Sequence, residues 1–136
     1  MKYYQSRIDR LKGTRLEDVY KKAQLVYTNI KKHTKRQPYI RSAYFKKSKI
    51  FFNYFWVHDK QKSRKQRTDR LLYFPCAIDL IKNSKLEPTV KINPNKPSEI
   101  LYRFAGKTRD NKVFYIQIKE VKRSQRKYLM SIFPEK

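Results

Sequence analysis

The sequence contains few of the residues that several common classes of functional site require. Only two of its 136 residues are glycine, which excludes a glycine-rich phosphate loop of the Walker or dinucleotide-binding type. The single cysteine, Cys76, excludes an internal disulfide and a zinc site built from cysteines. Its two histidines add too few donors for the three or four ligands of a metal site. We therefore expect neither a metal ion nor a cofactor.

Long apolar runs are also missing. No stretch approaches the roughly 20 apolar residues that a membrane-spanning helix needs. The first residues are not followed by the apolar segment of a secretory signal. The sequence therefore predicts a cytoplasmic protein without a membrane partner.

Acidic residues are scarce: 11 of them face 35 lysines and arginines, which gives a formal net charge of +24. Holding this charge on a small protein costs self-repulsion, which a polyanionic partner would relieve. Nucleic acid is the leading polyanion, because neutralising its phosphates releases counterions. The hydrophobic content of 39% and the aromatic content of 15% indicate a folded core and not a basic disordered tail.

The first half of the chain reads as helical. Residues 1–13 are interpreted as a polar arm and residues 14–136 as a single domain. Apolar residues recur at helical spacing from Leu16 to Ile30, and Thr14 with Glu17 predicts a capping box before them.

Less regular segments follow that helix. The apolar run 50–57 is assigned to a helix from about Ser48 to Lys62, although its periodicity fits a buried strand as well. Residues 64–69 are read as a polar link. Residues 71–81 predict a further helix that is interrupted near Pro75.

The pattern changes after Pro88. Residues 89–92 alternate, and three later runs are rich in β-branched and aromatic residues, namely 100–104, 113–118 and 128–133. Strands joined by polar turns after a helical half predict an α+β fold. In it, N-terminal helices pack on a C-terminal antiparallel β-meander of three to four strands.

His58 is one candidate catalytic residue, because it ends the most apolar segment. In a helix, Lys62 shares its face. A nearby lysine favours the neutral imidazole that a general base requires, and it can stabilise charge that develops on a phosphate. An ordinary amphipathic helix end would have the same sequence, so both interpretations remain open. His33, within a basic run after the first helix, is interpreted as a solvated helix end.

The predicted sheet offers a second candidate set. Alternation separates Arg103 from its apolar neighbours, places Tyr115 beside Gln117, and places Ser131 on the same face as Leu129. Such a face suits a phosphodiester, because a guanidinium group can bind two phosphate oxygens at once. The alternative is a sheet that has one hydrated face.

Further cations are expected to contact phosphates without reading base sequence. They lie in the polar link, at strand ends and in the basic turn 119–127, where a solvated hairpin tip is the alternative. They are Arg64, Arg67, Lys107, Lys119, Lys122, Arg123, Arg126 and Lys127.

The C-terminal segments also carry a family resemblance. Residues 103–108 (Arg-Phe-Ala-Gly-Lys-Thr), a strand over 113–120 and a serine-containing strand over 127–134 follow one another, with a basic turn between the strands. This order, within residues 100–134, resembles the end of the barnase–EndoU–colicin–RelE-like nucleases, in particular their phage and mobile-element branch. The resemblance implies a metal-free ribonuclease fold whose open sheet face holds RNA.

The resemblance also implies roles for individual residues. His58 would act as base or acid, Arg103 and Lys62 would bind the scissile phosphate, and Ser131 would support it. No second histidine lies near the sheet, so a lysine or Tyr115 would have to serve as general acid.

Three functional hypotheses follow. The first is a small basic RNA-binding protein that acts as a metal-independent ribonuclease, toxin-like or phage-associated, through attack of a 2′-hydroxyl on the adjacent phosphate. The second is a non-catalytic nucleic-acid-binding accessory protein. The third is a basic protein that a dedicated acidic partner, such as an antitoxin or immunity protein, neutralises. RNA is favoured over DNA.

Overall fold

The computed structural model describes residues 2–135, so Met1 and Lys136 lie outside the described part of the chain. Within that part, four helices and seven strands follow one another. They are β1 (Tyr4–Gln5), α1 (Leu16–Lys32), β2 (Tyr39–Arg41), β3 (Lys49–Phe51), α2 (Asn53–Lys60), α3 (Arg64–Leu71), α4 (Phe74–Asn83), β4 (Thr89–Ile92), β5 (Glu99–Lys107), β6 (Val113–Val121) and β7 (Arg126–Pro134).

The strands form one mixed sheet in the order β1-β5-β6-β7-β3-β2, and β4 pairs with β5 along the edge that β1 also uses. The predicted antiparallel meander of three to four strands is therefore wrong. β5, β6 and β7 are antiparallel neighbours, but β1 runs parallel to β5 and β3 runs parallel to β7. β1, β2 and β3 have two or three residues each, too few for alternation to identify a strand. The result is an α+β fold whose helices precede a strand-rich C-terminal part.

The predicted first helix is confirmed as α1, but its predicted cap is wrong. α1 begins after Arg15 and has no side-chain cap, so Thr14 does not form the expected capping box. The carboxylate of Glu17 instead forms an ion pair with Arg64 of α3.

The helix expected from Ser48 to Lys62 is confined to α2, because Ile50 and Phe51 pair with β7. The polar link expected at residues 64–69 is also wrong, since these residues belong to α3.

α3 forms because the residues before it supply a capping box. The Ser63 hydroxyl accepts a hydrogen bond from the backbone amide of Gln66 at 3.2 Å, and the Gln66 side chain accepts one from the Ser63 amide at 3.4 Å. These bonds satisfy two amides that a helix start otherwise leaves without partners. Pro75 lies in the first turn of α4, where its missing amide costs no hydrogen bond.

Residues 2–13, expected to form a polar arm, lie against the sheet and α4. Tyr4 and Gln5 pair with the end of β5. The hydroxyl groups of Tyr4 and Ser6 donate hydrogen bonds to Asp79 of α4 at 3.0 and 2.8 Å.

The sheet has a core face and an outer face. α1 and α4 pack on the core face, where Phe114, Leu129 and Ile132 are fully buried. Gly106 allows α4 to approach the sheet closely, because a Cβ at this position would lie 2.8 Å from the side chain of Leu80. The outer face carries the predicted sheet residues Arg103, Tyr115 and Ser131.

Candidate nucleic-acid interface

The register of the strands assembles the outer face, because side chains directly opposite each other on paired strands share a face. One row consists of Tyr39, Phe51, Tyr128, Lys119, Leu101 and Lys91. A second row consists of Ser131, Gln117, Arg103 and Thr89. The predicted outward facing of Arg103, and of Tyr115 beside Gln117, is confirmed.

A β-bulge in β7 brings these rows to the same face. Gln117 pairs with Ser131 whereas Ile118 pairs with Leu129, so Met130 is an extra residue in β7. Tyr128 and Ser131 consequently both face outward, although they are three residues apart. The expectation that Leu129 and Ser131 share a face is wrong for this reason, since Leu129 is fully buried.

Four aromatic rings, which we call the aromatic strip, lie next to one another on the outer face: Tyr39, Phe51, Tyr128 and Tyr54. Successive ring centroids are 6.0, 5.9 and 4.7 Å apart. Tyr54 joins the strip because α2 follows β3 directly and packs beside β7. Exposed aromatic side chains such as Tyr54 can stack on unpaired bases.

Cations lie over the rings of the aromatic strip. The ammonium of Lys49 is 4.7 Å from the Tyr39 ring centroid, and the guanidinium of Arg126 is 4.5 Å from that of Phe51. These contacts fix two positive charges beside surfaces on which bases could stack.

Lys119 also contacts the strip, but its charge is already neutralised. Its Nζ lies 4.0 Å from the Tyr54 ring centroid and 3.2 Å from Oε2 of Glu99. Only 8% of Lys119 and 5% of Glu99 are exposed. Burial works against ionisation of Glu99, but hydrogen bonds from Lys119 and Asn93 outweigh it and lower the pKa of Glu99. Lys119 therefore packs against the rings of Tyr54 and Tyr128 with its charge neutralised by Glu99.

The aromatic strip opens at one end into a cleft of about 630 Å³, which we call the basic cleft. Its walls are His33, Thr34, Lys35, Arg36, Gln37, Tyr39, Lys49, Phe51 and Arg126. None of these residues is acidic, and none takes part in an ion pair within residues 2–135. Like charges that line a concave surface focus a positive potential there.

Three of the predicted catalytic residues meet at one crevice near the other end of the aromatic strip. His58, Lys62 and Ser131 line it, together with Asp59 and Arg70. Its volume of about 10 Å³ leaves room for about one water molecule, so a phosphate would lie over its mouth.

His58 has the electrostatic character of a base. Burial, together with the positive charges of Lys62 and Lys119, lowers the pKa of His58. The imidazole is therefore neutral at pH 7 and can accept a proton.

Arg103 and Tyr115 lie in a neighbouring groove of about 410 Å³, which Gln117 also lines. Gln117 stands between Arg103 and Ser131 in the same row, so two strand spacings separate their backbones by about 10 Å. Tyr115 donates a hydrogen bond of 2.7 Å to Glu135, which raises the pKa of Tyr115 to about 12. This contact makes Tyr115 a poor general acid at neutral pH.

Several of the predicted phosphate-binding cations are engaged within the fold. Arg67 forms an ion pair of 2.9 Å with the buried Asp59, and Lys127, 9% exposed, lies 3.6 Å from Glu120. Arg64 is paired with Glu17, as described above.

The remaining predicted cations have different positions. Lys107 lies over the ring of Tyr3 at 5.2 Å. Lys122 and Arg123 are exposed in the turn between β6 and β7, which is shorter than expected. Arg126 lines the basic cleft.

Sequence reasoning missed Lys35, Arg36 and Lys49 in the basic cleft, and it missed Arg70, which lines the same crevice as His58. Lys35, Arg36 and Lys49 line the cleft, and His33 joins them although it was interpreted as a solvated helix end. The basic run 31–36 was a visible signal, but only the pairing of β2, β3 and β7 places it beside aromatic rings. Arg70 belongs to α3 and lies just beyond the polar link that was predicted at residues 64–69.

Comparison of the chain with protein-family models, curated proteins and solved structures finds no match. The resemblance of residues 100–134 to the barnase–EndoU–colicin–RelE-like nucleases therefore stays a prediction. Among residues 2–135, no helix has both the length and the apolar character to cross a bilayer. The same residues contain no cluster of three or more side chains suited to holding a metal ion.

Proposed function

We propose that this protein binds single-stranded RNA along its outer face. The observation that carries the proposal is the aromatic strip, which is flanked by cations and leads into a cleft without acidic residues. Unpaired bases can stack on the rings while the cations neutralise phosphates. The preference for RNA over DNA rests on the nuclease resemblance.

Tyr54 offers the sharpest test of this interface, because it is 38% exposed on α2 and its loss leaves the core intact. Stacking of a base is worth about 1–3 kcal/mol, so Tyr54→Ala should weaken binding of a fluorescent single-stranded RNA about 5- to 150-fold. Val57→Ala is the matched control, since Val57 is exposed on the same helix and lies outside the aromatic strip. Equal affinity of the two variants would argue against stacking on the strip. A duplex RNA of the same length should bind more weakly than the single strand.

A second function, metal-independent RNA cleavage, is favoured by the lowered pKa of His58 beside Ser131 and two cations. Neutral His58 would accept the proton of a 2′-hydroxyl as its oxygen attacks the adjacent phosphorus. Lys62 and Arg70 would stabilise the charge that develops on the phosphate oxygens. The bond to the 5′-oxygen breaks and that oxygen takes a proton from water, which regains one from protonated His58, so that a 2′,3′-cyclic phosphate and a 5′-hydroxyl remain.

Incubation with RNA in EDTA tests this second function. We expect cleavage by the parent and by Val57→Ala, and loss of cleavage in His58→Ala with RNA binding retained. Intact RNA at high protein excess, while binding persists, would leave the non-catalytic accessory role as the function. An acidic protein partner would bind the basic cleft and should therefore compete with RNA for the protein.

A further inference from the structure

The basic cleft lies at one end of the aromatic strip and is bounded by a wall, residues 33–37. β2 is the last strand of the sheet, and residues 33–37 form the wall beside it. The guanidinium of Arg126, on β7, donates a hydrogen bond of 3.2 Å to the side-chain oxygen of Gln37. This bond links residues 33–37 to β7. Because Arg126 also lies over the ring of Phe51, the link passes over the outer face of β3. An RNA strand whose bases stack along the aromatic strip would therefore meet residues 33–37 at this end.

The charge of the cleft exceeds what one internal phosphodiester can neutralise. Lys35, Arg36, Lys49 and Arg126 all line it, and no acidic side chain does. An internal diester carries a single negative charge, whereas a terminal phosphate monoester carries about −1.5 to −2 at pH 7 and has three free oxygens. Arg126 is held in place by Gln37 and Phe51, so little of its freedom is lost when it binds an anion.

We propose that the basic cleft binds the terminal phosphate monoester of an RNA strand whose bases stack on the aromatic strip. The inference rests on the proposed RNA binding and adds to it a preference for a phosphorylated end. Lys35 and Arg36 supply charge from the loop, and Lys49 and Arg126 supply it from the sheet. One polarity of the bound strand follows if only the 5′ or only the 3′ phosphate is recognised.

Three oligonucleotides of one sequence test the proposal: one with a 5′-phosphate, one with a 3′-phosphate, and one with hydroxyl groups at both ends. We expect one phosphorylated form to bind at least about tenfold more tightly than the dihydroxyl form, as expected for added hydrogen bonds to charged groups. The double variant Lys35→Gln, Arg36→Gln should remove this ratio. The variant Lys82→Gln, Lys85→Gln makes the same change of charge at exposed positions outside the cleft and should keep it.

The outcomes separate the two proposals. Equal affinity for all three oligonucleotides, with binding still weakened by Tyr54→Ala, would overturn the terminal-phosphate site and leave RNA binding standing. A preference for phosphate that survives in Lys35→Gln, Arg36→Gln would also overturn it. Absence of binding to every oligonucleotide would refute RNA binding, and the terminal-phosphate site with it.

Discussion

Three cations that lie against aromatic rings of the outer face should control how steeply RNA affinity falls with salt. Lys49, Arg103 and Arg126 each hold their charged group between 4.5 and 5.2 Å from the centre of a ring. None of them forms an ion pair within residues 2–135. Each charge is therefore available to a phosphate, and replacing all three by glutamine should remove three phosphate contacts.

The expected change can be calculated from counterion release. Each phosphate contact to a single strand contributes about 0.7 to the slope of log affinity against log salt concentration. The triple variant should therefore reduce the slope by about 2, because three contacts are lost. Between 50 and 200 mM salt, this reduction corresponds to about 20-fold less loss of affinity than the parent shows.

Fluorescence anisotropy with a labelled single-stranded RNA, measured across this salt range, checks the calculation. The control variant replaces Lys21, Lys82 and Lys85 by glutamine, which changes the net charge equally at exposed positions outside the basic cleft. We expect the control to keep the parent's slope to within about one phosphate contact. If the two variants lower the slope equally, the RNA responds to the total charge of the protein and the localised interface is refuted.

Three further predictions concern the frame that holds the site. Gly106→Ala should lower the free energy of unfolding by about 1–3 kcal/mol in urea, because the added Cβ would lie 2.8 Å from core side chains. Glu99→Gln leaves the buried Lys119 without its partner and should cost about 3 kcal/mol at pH 7. Because the folded pKa of Glu99 lies below its reference value of 4.5, this stabilisation is complete above that pH. It should disappear as the pH falls through the lower folded value, so urea titrations at pH 3 should show a smaller difference. The Cys76 thiol, whose pKa burial raises to about 12, should react with a thiol reagent at pH 8 only after unfolding; rapid native labelling would contradict its burial.

Long helices and strands with a periodic apolar pattern could be predicted from the sequence, whereas the shortest strands could not. α1 has 17 residues and the last three strands have nine each, so their apolar pattern is long enough to indicate a helix and strands. β3 has three residues, and its pairing with β7 depends on tertiary contact. α3 is an intermediate case: Ser63 and Gln66 carry a capping-box signature, but the density of charge after them favoured a link.

The sequence allowed the types of residue in the candidate site to be predicted better than their positions on the two faces of the sheet. Strict alternation places Tyr128 and Ser131 on opposite faces of a strand, and only the extra residue Met130 brings both outward. A bulge of this kind has no composition signal in β7, because it arises from the pairing with β6. His58 and Ser131 nevertheless line one crevice. β7 pairs with β3, and α2 follows β3 directly, so the pairing of β7 positions the helix that carries His58 as well as Ser131.

The distribution of acidic residues gives the net charge its functional direction. Within residues 2–135 the acidic side chains that form ion pairs are Asp9, Glu17, Asp59, Asp69, Glu99, Asp110 and Glu120. Three of them neutralise cations that burial would otherwise make costly, namely Lys119, Lys127 and Arg67. Within the same residues, the cations of the basic cleft, including Lys49 and Arg126 over the aromatic strip, receive none. Three ion pairs thus neutralise largely buried cations, whereas the four cations of the basic cleft form no ion pair within residues 2–135 and lie beside the rings of Tyr39 and Phe51. A charge needed only to keep molecules apart would not require that coincidence.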